Sequence, residues 1–376
     1  MKRDKRRIMS RGRMKCSVLP DEGGSKIKDK RSLHSRLITQ EQIVGRKFVR
    51  RPKAITTIKG KLSVQEEWMQ TAAQLGIRGI RKEFVNEIKN YTPKNAAMEA
   101  WNLDQNFDKN RYEDIKLEDK TRVKLKKIPN NDDDYIHASY VIVSNDLTYI
   151  CAQGPLLNTV QDFWIMAIQE QTNVILQLCQ NKENDREQCS EYFPNESIGW
   201  KEYGAVRVRI TEPTSGIVTL KKVTRTKIEA SYSDKKQEVM HIAYAGWPDH
   251  SVPDSPATCR EIYSLLRKYY GKKPIIVHCS AGVGRTGTFV AIEMAMEKLR
   301  KNETCIVVDI TKKLREQRLH AVQNDLQYLF IYRMMIELLV EENLLSRDQQ
   351  VINFLKEYDN LIARKRRERM LKDNLI

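Results

Sequence analysis

One run of eleven residues, Val277-His278-Cys279-Ser280-Ala281-Gly282-Val283-Gly284-Arg285-Thr286-Gly287, brings together a thiol, an arginine and three glycines. Gly282 and Gly284 let the backbone curl so that successive N–H groups point inward. A helix beginning on the far side adds its positive end, which suits the loop to a dianion of phosphate size. Arg285 returns to the same place, where a planar guanidinium can grip two phosphate oxygens at once. Cys279, at the base of the loop, would have its thiolate stabilised by the same groups, making it a standing nucleophile at neutral pH. The Thr286 hydroxyl is placed to hydrogen-bond the sulfur, and reaction by two displacements through a phosphocysteine follows. A cysteine five residues ahead of an arginine would, by itself, equally fit a small buried hydrophobe. The full string carries the chemistry.

This string resembles the active-site loop of the protein tyrosine phosphatases, and the resemblance extends over Trp101 to Tyr332. It implies that Ser280, Ala281, Gly282, Val283 and Gly284 bind the phosphate, with His278 supporting Cys279. Gly246-Trp247-Pro248-Asp249-His250 resembles the family's mobile acid loop. There Asp249 would protonate the departing tyrosine oxygen and then take a proton from the attacking water, with Trp247 as a supporting residue. Lys109-Asn110-Arg111-Tyr112-Glu113-Asp114 resembles the phosphotyrosine recognition loop. The resemblance makes Tyr112 the wall against which the substrate ring packs, and Asp114 the partner of the substrate peptide backbone. Gln323 and Gln327 resemble the pair that orients the hydrolytic water. Asp134-Tyr135-Ile136, Gln153-Gly154-Pro155 and Asp162-Phe163-Trp164 match positions of the scaffold.

Four positions depart from the family pattern. Gln188 stands where many members carry a lysine that contacts the acid loop, His137 replaces an Asn, Ser251 a Gly and Asn324 a Thr. These bear on acid-loop dynamics and rate rather than on reaction type, and Arg186 is a candidate for the missing charge. The resemblance implies an enzyme that hydrolyses phosphotyrosine in proteins, with no metal and no other cofactor. Two alternatives stay open: a phosphotyrosine-binding pseudophosphatase, and a phosphatase whose basic arm also binds nucleic acid or acidic surfaces.

Around the loop, the apolar run Ile275 to Val277 reads as a buried strand and Thr286 to Leu299 as the helix that follows. Ser139 to Val143, Val174 to Leu178 and Ala205 to Ile210 read as further strands, so a mixed sheet is expected. Ser255 and Pro256 have the form of an N-cap and first helical residue. Ser63 and Glu66 have capping-box spacing ahead of a helical run from Trp68 to Ile88, and another helix is expected over Leu326 to Glu342. The expected fold is α/β, a twisted mixed β-sheet flanked by helices. The division is residues 1–60 as a basic, flexible arm, 61–342 as the catalytic domain, and 343–376 as a basic, helical tail.

The 376 residues carry a net charge of +17, and the first sixty, with 19 Lys plus Arg against 5 Asp plus Glu, account for +14 of it. The excess therefore lies outside the part that can bury a core, as an arm rather than a basic groove. The clusters Lys2 to Arg7 and Arg364 to Arg369 read as solvated tails, with nuclear import as the other reading. Seven cysteines show neither paired nor metal-ligand spacing, which points to reduced thiols and a cytoplasmic chain with nuclear entry open. No apolar run reaches the roughly 20 residues a membrane helix needs, and a monomer is expected.

Overall fold

The computed structural model describes residues 62–126, 133–195 and 199–373. The arm expected over residues 1–60 lies outside them.

The described residues contain eight α-helices and eleven strands. The helices are α1 (Val64–Glu83), α2 (Glu99–Asn102), α3 (Val160–Gln169), α4 (Pro256–Tyr269), α5 (Arg285–Arg300), α6 (Val307–Arg315), α7 (Asp325–Glu341) and α8 (Gln349–Asp373). The strands are β1 (Arg122–Lys124), β2 (Tyr135–Ser144), β3 (Leu147–Ala152), β4 (Val174–Gln177), β5 (Lys182–Glu183), β6 (Arg186–Glu187), β7 (Lys201–Tyr203), β8 (Val206–Ile217), β9 (Leu220–Tyr232), β10 (Lys235–Tyr244) and β11 (Ile275–His278). Nine strands form one sheet in the order β1-β2-β3-β11-β4-β10-β9-β8-β7, and β5 and β6 make a separate hairpin.

The helix starts follow the chain's own signals. Ser63 and Glu66 form the capping box of α1, each side chain bonding the other's backbone N–H. Gly76, at φ 60, breaks the helical path inside α1, so the run from Trp68 is two helical pieces joined at a kink. The Ser255 side chain caps α4 and Pro256 is its first residue.

The centre of the sheet is parallel and its wings are antiparallel. β11 runs parallel to both β3 and β4, and β4 parallel to β10, while β1, β2, β7, β8 and β9 pair antiparallel with their neighbours. Every residue of β4 and β11 is buried, as a strand covered on both faces requires, whereas the start of β8 alternates buried and open positions. α5 packs on β2, β3 and β11, and α3 on β8, β9 and β10. This mixed sheet flanked by helices is the architecture the sequence implied. Parallel strands gather their carboxyl ends on one edge, where open α/β sheets bind ligands. The loops that leave β3, β11, β4 and β10 all begin at that edge.

Candidate active site

The loop after β11, residues 279–284, is fixed from behind through its carbonyl oxygens. Gly154 N–H donates to Ser280 O at 2.9 Å, and Val322 and Gly287 N–H donate to Val283 O at 3.0 and 3.1 Å. The fully buried Arg318 donates from Nη2 to Ala281 O and from Nε to Gly282 O, both at 3.1 Å. With those carbonyls turned outward, the amides of Ser280 to Gly284 are left on the other side. Among the described residues none of them donates to a backbone carbonyl. That arrangement is an anion nest continued by the N-terminus of α5.

Two glycines are required by close approach. A Cβ on Gly282, at φ +69, would meet Ala152 O at 2.0 Å, and one on Gly284 would meet Gln323 Oε1 at 2.2 Å. The residue before Gln323, Val322, is β-branched yet sits at φ 62, a conformation held by its N–H bond to Val283 O and by Arg315 Nη2 on its carbonyl at 2.9 Å. Gln323 N–H in turn donates to Gln327 Oε1 at 2.9 Å. The two glutamines expected at the site are thus packed against the loop.

Arg285 joins three elements. Its guanidinium, 1% exposed, donates from Nη1 to Glu183 Oε1 at 2.7 Å and to Trp247 O at 3.0 Å. Nη2 lies 3.1 Å from Asp249 Oδ1, an ion pair without good hydrogen-bond alignment. Burial by itself would push Arg285 down, but Asp249 and its other acidic neighbours hold it above the ordinary arginine range. Arg285 Nε and Thr286 Oγ1 are buried without a hydrogen-bond partner among the described residues, as is Gln327 Nε2. The bond expected from Thr286 to the Cys279 sulfur is therefore not made here. A β-branched side chain in a first helical turn has few rotamers, and the one adopted leaves the hydroxyl unpaired.

Tyr112 is also brought to the loop. Its hydroxyl is 2.7 Å from Ser280 Oγ, and its ring clusters with Ile115, Ala281 and Val283. Asp114 is half-buried two residues on, where His320 feels its charge. Behind the loop, His278 Nε2 is 2.9 Å from the Tyr192 hydroxyl, which is 2.7 Å from His241 Nε2. Burial pushes His278 down to about 4 and His241 to about 3, so both are neutral near pH 7. Cys279 is one of six described cysteines, all buried. Burial pushes Cys151, Cys189 and Cys305 up to about 12, and Cys179 and Cys259 well up too, which keeps those five as inert thiols.

The segment expected to be the acid loop follows β10. Trp247 is buried, with Nε1 donating to Ser251 O at 2.9 Å and its ring centroid 5.5 Å from that of Phe330. Asn324 Nδ2 donates to His250 O at 3.2 Å. Two of the four departures from the family pattern thus bond within this loop or to it: Ser251 through its carbonyl, Asn324 through its side chain. Gln188 is buried, its N–H on Asn181 O at 2.8 Å, and Arg186 is exposed on β6.

Sequence reading missed Glu183 and Arg318. Neither sits in a motif, and each reaches the site from a separate element. It also placed Arg364 to Arg369 in solvent, whereas α8 sets Arg366 and Arg369 against the acid loop.

Comparison with known proteins agrees with this geometry. The sequence model of the family described as protein-tyrosine phosphatase matches residues 106–337. The chain is 31% identical over 266 residues to the human tyrosine-protein phosphatase non-receptor type 9, covering 66% of this chain and 44% of that protein. It is 33% identical over 273 residues to the rat tyrosine-protein phosphatase non-receptor type 20, covering 71% and 62%. The chain thus spans less than two thirds of either relative. A solved structure of PTPN18, described as the basis of its fingerprint on distinct HER2 tyrosine phosphorylation sites, superposes with TM-score 0.64 at 25% identity over 74% of this chain and 99% of that one.

Proposed function

The chain belongs to the protein-tyrosine phosphatase family, and we propose that it hydrolyses phosphotyrosine in proteins through a phosphocysteine intermediate. The observation that carries this reading is Arg285, buried at the end of the nest and 3.1 Å from Asp249, which brings the phosphate clamp and the acid to one place. The Cys279 thiolate attacks phosphorus while the ester oxygen leaves with the Asp249 proton. Water then attacks phosphorus, its proton passes to Asp249, and the sulfur departs as thiolate, restoring the enzyme. The inward amides of residues 280–284 and Arg285 meet the charge that grows on the phosphoryl oxygens. Gln323 and Gln327 hold the water.

Specificity follows from Tyr112. Bonded to Ser280 and packed on Ala281 and Val283, it walls the approach to Cys279, so that an aryl phosphate reaches the sulfur and the shorter phosphoserine does not. We place the catalytic domain at 61–342 with α8 docked on it, and phosphotyrosine proteins as its substrates. No helix among the described residues is long and apolar enough to cross a membrane. A cytoplasmic chain, with nuclear entry open, remains our reading.

The test is phosphate release from paired peptides. The protein should release phosphate from phosphotyrosine peptides several orders of magnitude faster than from phosphoserine peptides, and Cys279→Ser should reduce release to background, since a serine hydroxyl is not ionised near neutral pH. Comparable rates on the two peptides, or turnover by the serine variant above a few per cent, would overturn it.

A further inference from the structure

Bonds inside the acid loop shape it without fixing where it lies. Asp254 N–H donates to Gly246 O at 2.8 Å, and Ser251 N–H to Pro248 O at 3.2 Å. Its position is set from outside, by Arg285 and Asn324 as described, by Lys222 on Asp254 at 2.6 Å, and by α8. Arg366 Nη2 donates to Pro253 O at 2.9 Å and lies 3.8 Å from Asp254 Oδ1. Arg369 Nη1 donates to Asp249 O at 3.1 Å. The second of these carbonyls belongs to the acid residue itself.

The two arginines are three residues apart and so share one face of α8. That helix is anchored: Val351, Phe354, Leu355, Tyr358, Leu361 and Ile362 are buried, and it packs on α1 and α7. Charge-assisted bonds from a seated helix hold a target more firmly than neutral ones would. They also act on the loop's backbone, so the Asp249 carboxyl group stays turned toward Arg285 rather than toward α8.

We propose that Arg366 and Arg369 are positioning residues that latch the acid loop closed, setting Asp249 beside Arg285 by gripping two of the loop's carbonyl oxygens. The proposal rests on Asp249 being the acid. Neither arginine touches the reacting atoms. Without them the loop spends less time closed, and protonation of the leaving oxygen suffers most.

The experiment compares Arg366→Ala/Arg369→Ala with Arg364→Ala/Arg367→Ala, which removes the same charge from exposed positions of the same helix, both in the full chain. Because kcat/KM reports the steps up to phenol release, it separates loop closure from the later hydrolysis. For phenyl phosphate, whose leaving group needs a proton, the latch variant should lose about tenfold in kcat/KM, the scale of one or two charged hydrogen bonds. For dinitrophenyl phosphate, which leaves unaided, the loss should stay within about twofold. Arg369→Lys in place of Arg369→Ala should recover part of the loss, and amide exchange over residues 246–254 should quicken in the latch variant alone. Equal losses on both esters, an equal loss in the charge-matched control, or unchanged loop exchange would overturn the latch. The exchange measurement needs no turnover. A parent protein that hydrolyses neither ester would therefore sink the reading of the site, while loop exchange alone would still decide the latch.

Discussion

The loop after β11 and the loop after β10 leave parallel strands at the same edge of one sheet, yet they are held by opposite means. The phosphate loop is pinned by buried groups: Arg318, the Gly154 and Val322 amides, and Tyr112. The acid loop is held by side chains reaching in from elsewhere, several of them part-exposed, with the Asp249 side chain 31% exposed. Contacts closed off from water cannot be lost without leaving a carbonyl unsatisfied, whereas those at the rim exchange for water at small cost. The first loop is therefore the costlier to disturb, and the second, apart from the buried Arg285 bond to Trp247 O, the easier to displace.

That contrast makes substitutions in the two loops fail differently. Asp249→Ala should lower turnover of an aryl phosphate with a poor leaving group by a hundredfold to a thousandfold, in the range of general acid catalysis. Phosphotyrosine peptide binding, measured calorimetrically, should persist, because the clamp and the nest are intact. Melting temperature should hardly move. A variant that melted early would place Asp249 among the structural groups and collapse the distinction.

Arg318→Met reverses the pattern. Removing a fully buried guanidinium orphans the carbonyls of Ala281 and Gly282, and should cost about 3 kcal/mol in denaturant unfolding. Turnover would fall because the nest loosens, with KM for the phosphate ester rising alongside. A fully stable variant would mean that the loop does not depend on its arginine.

The smallest effect concerns acid. His137 accepts from Arg318 Nη2 at Nδ1, 3.0 Å away, and donates from Nε2 to Ile115 O, also at 3.0 Å. Burial, with Arg318 adding to it, pushes His137 down to about 3. Below pH 6.5 the unfolded chain takes up a proton that the folded chain refuses, so stability present above that pH is lost as pH falls toward about 3. The loss from this residue approaches 1.4 kcal/mol per pH unit. His241, His278 and His320 act in the same direction. Melting curves between pH 7 and 5 should show a shallower decline for His137→Asn than for the parent. Parallel slopes would show that the ring is not kept neutral by this setting.

What could be read from the sequence is what the chain writes locally. The phosphate loop, its helix and the acid-loop pentapeptide are each contiguous, and the caps at Ser63 and Ser255 lie within three residues of what they cap. Glu183, Arg318, Arg366 and Arg369 meet their partners over separations of 102, 36, 113 and 120 residues, where no local pattern records the meeting. The strand order was hidden for the same reason, since pairing β11 between β3 and β4 is a long-range event. Counting charge over Arg364 to Arg369 revealed a basic run but not which arginines share a face. Residue types suggest chemistry, and burial then decides which of them is a brace.

The reach of α8 back to the acid loop also sets an order of events at the ribosome. Arg366 is made 113 residues after Pro253, and Arg369 120 residues after Asp249. At roughly 5–20 residues per second, that stretch takes on the order of ten seconds to translate. Throughout that interval the emerging chain holds its acid loop without the grip of α8. Cys279 and Arg285 are polymerised before the helix that grips Asp249 and Pro253, so the loop after β11 exists in the nascent chain earlier than the last contacts around the loop after β10.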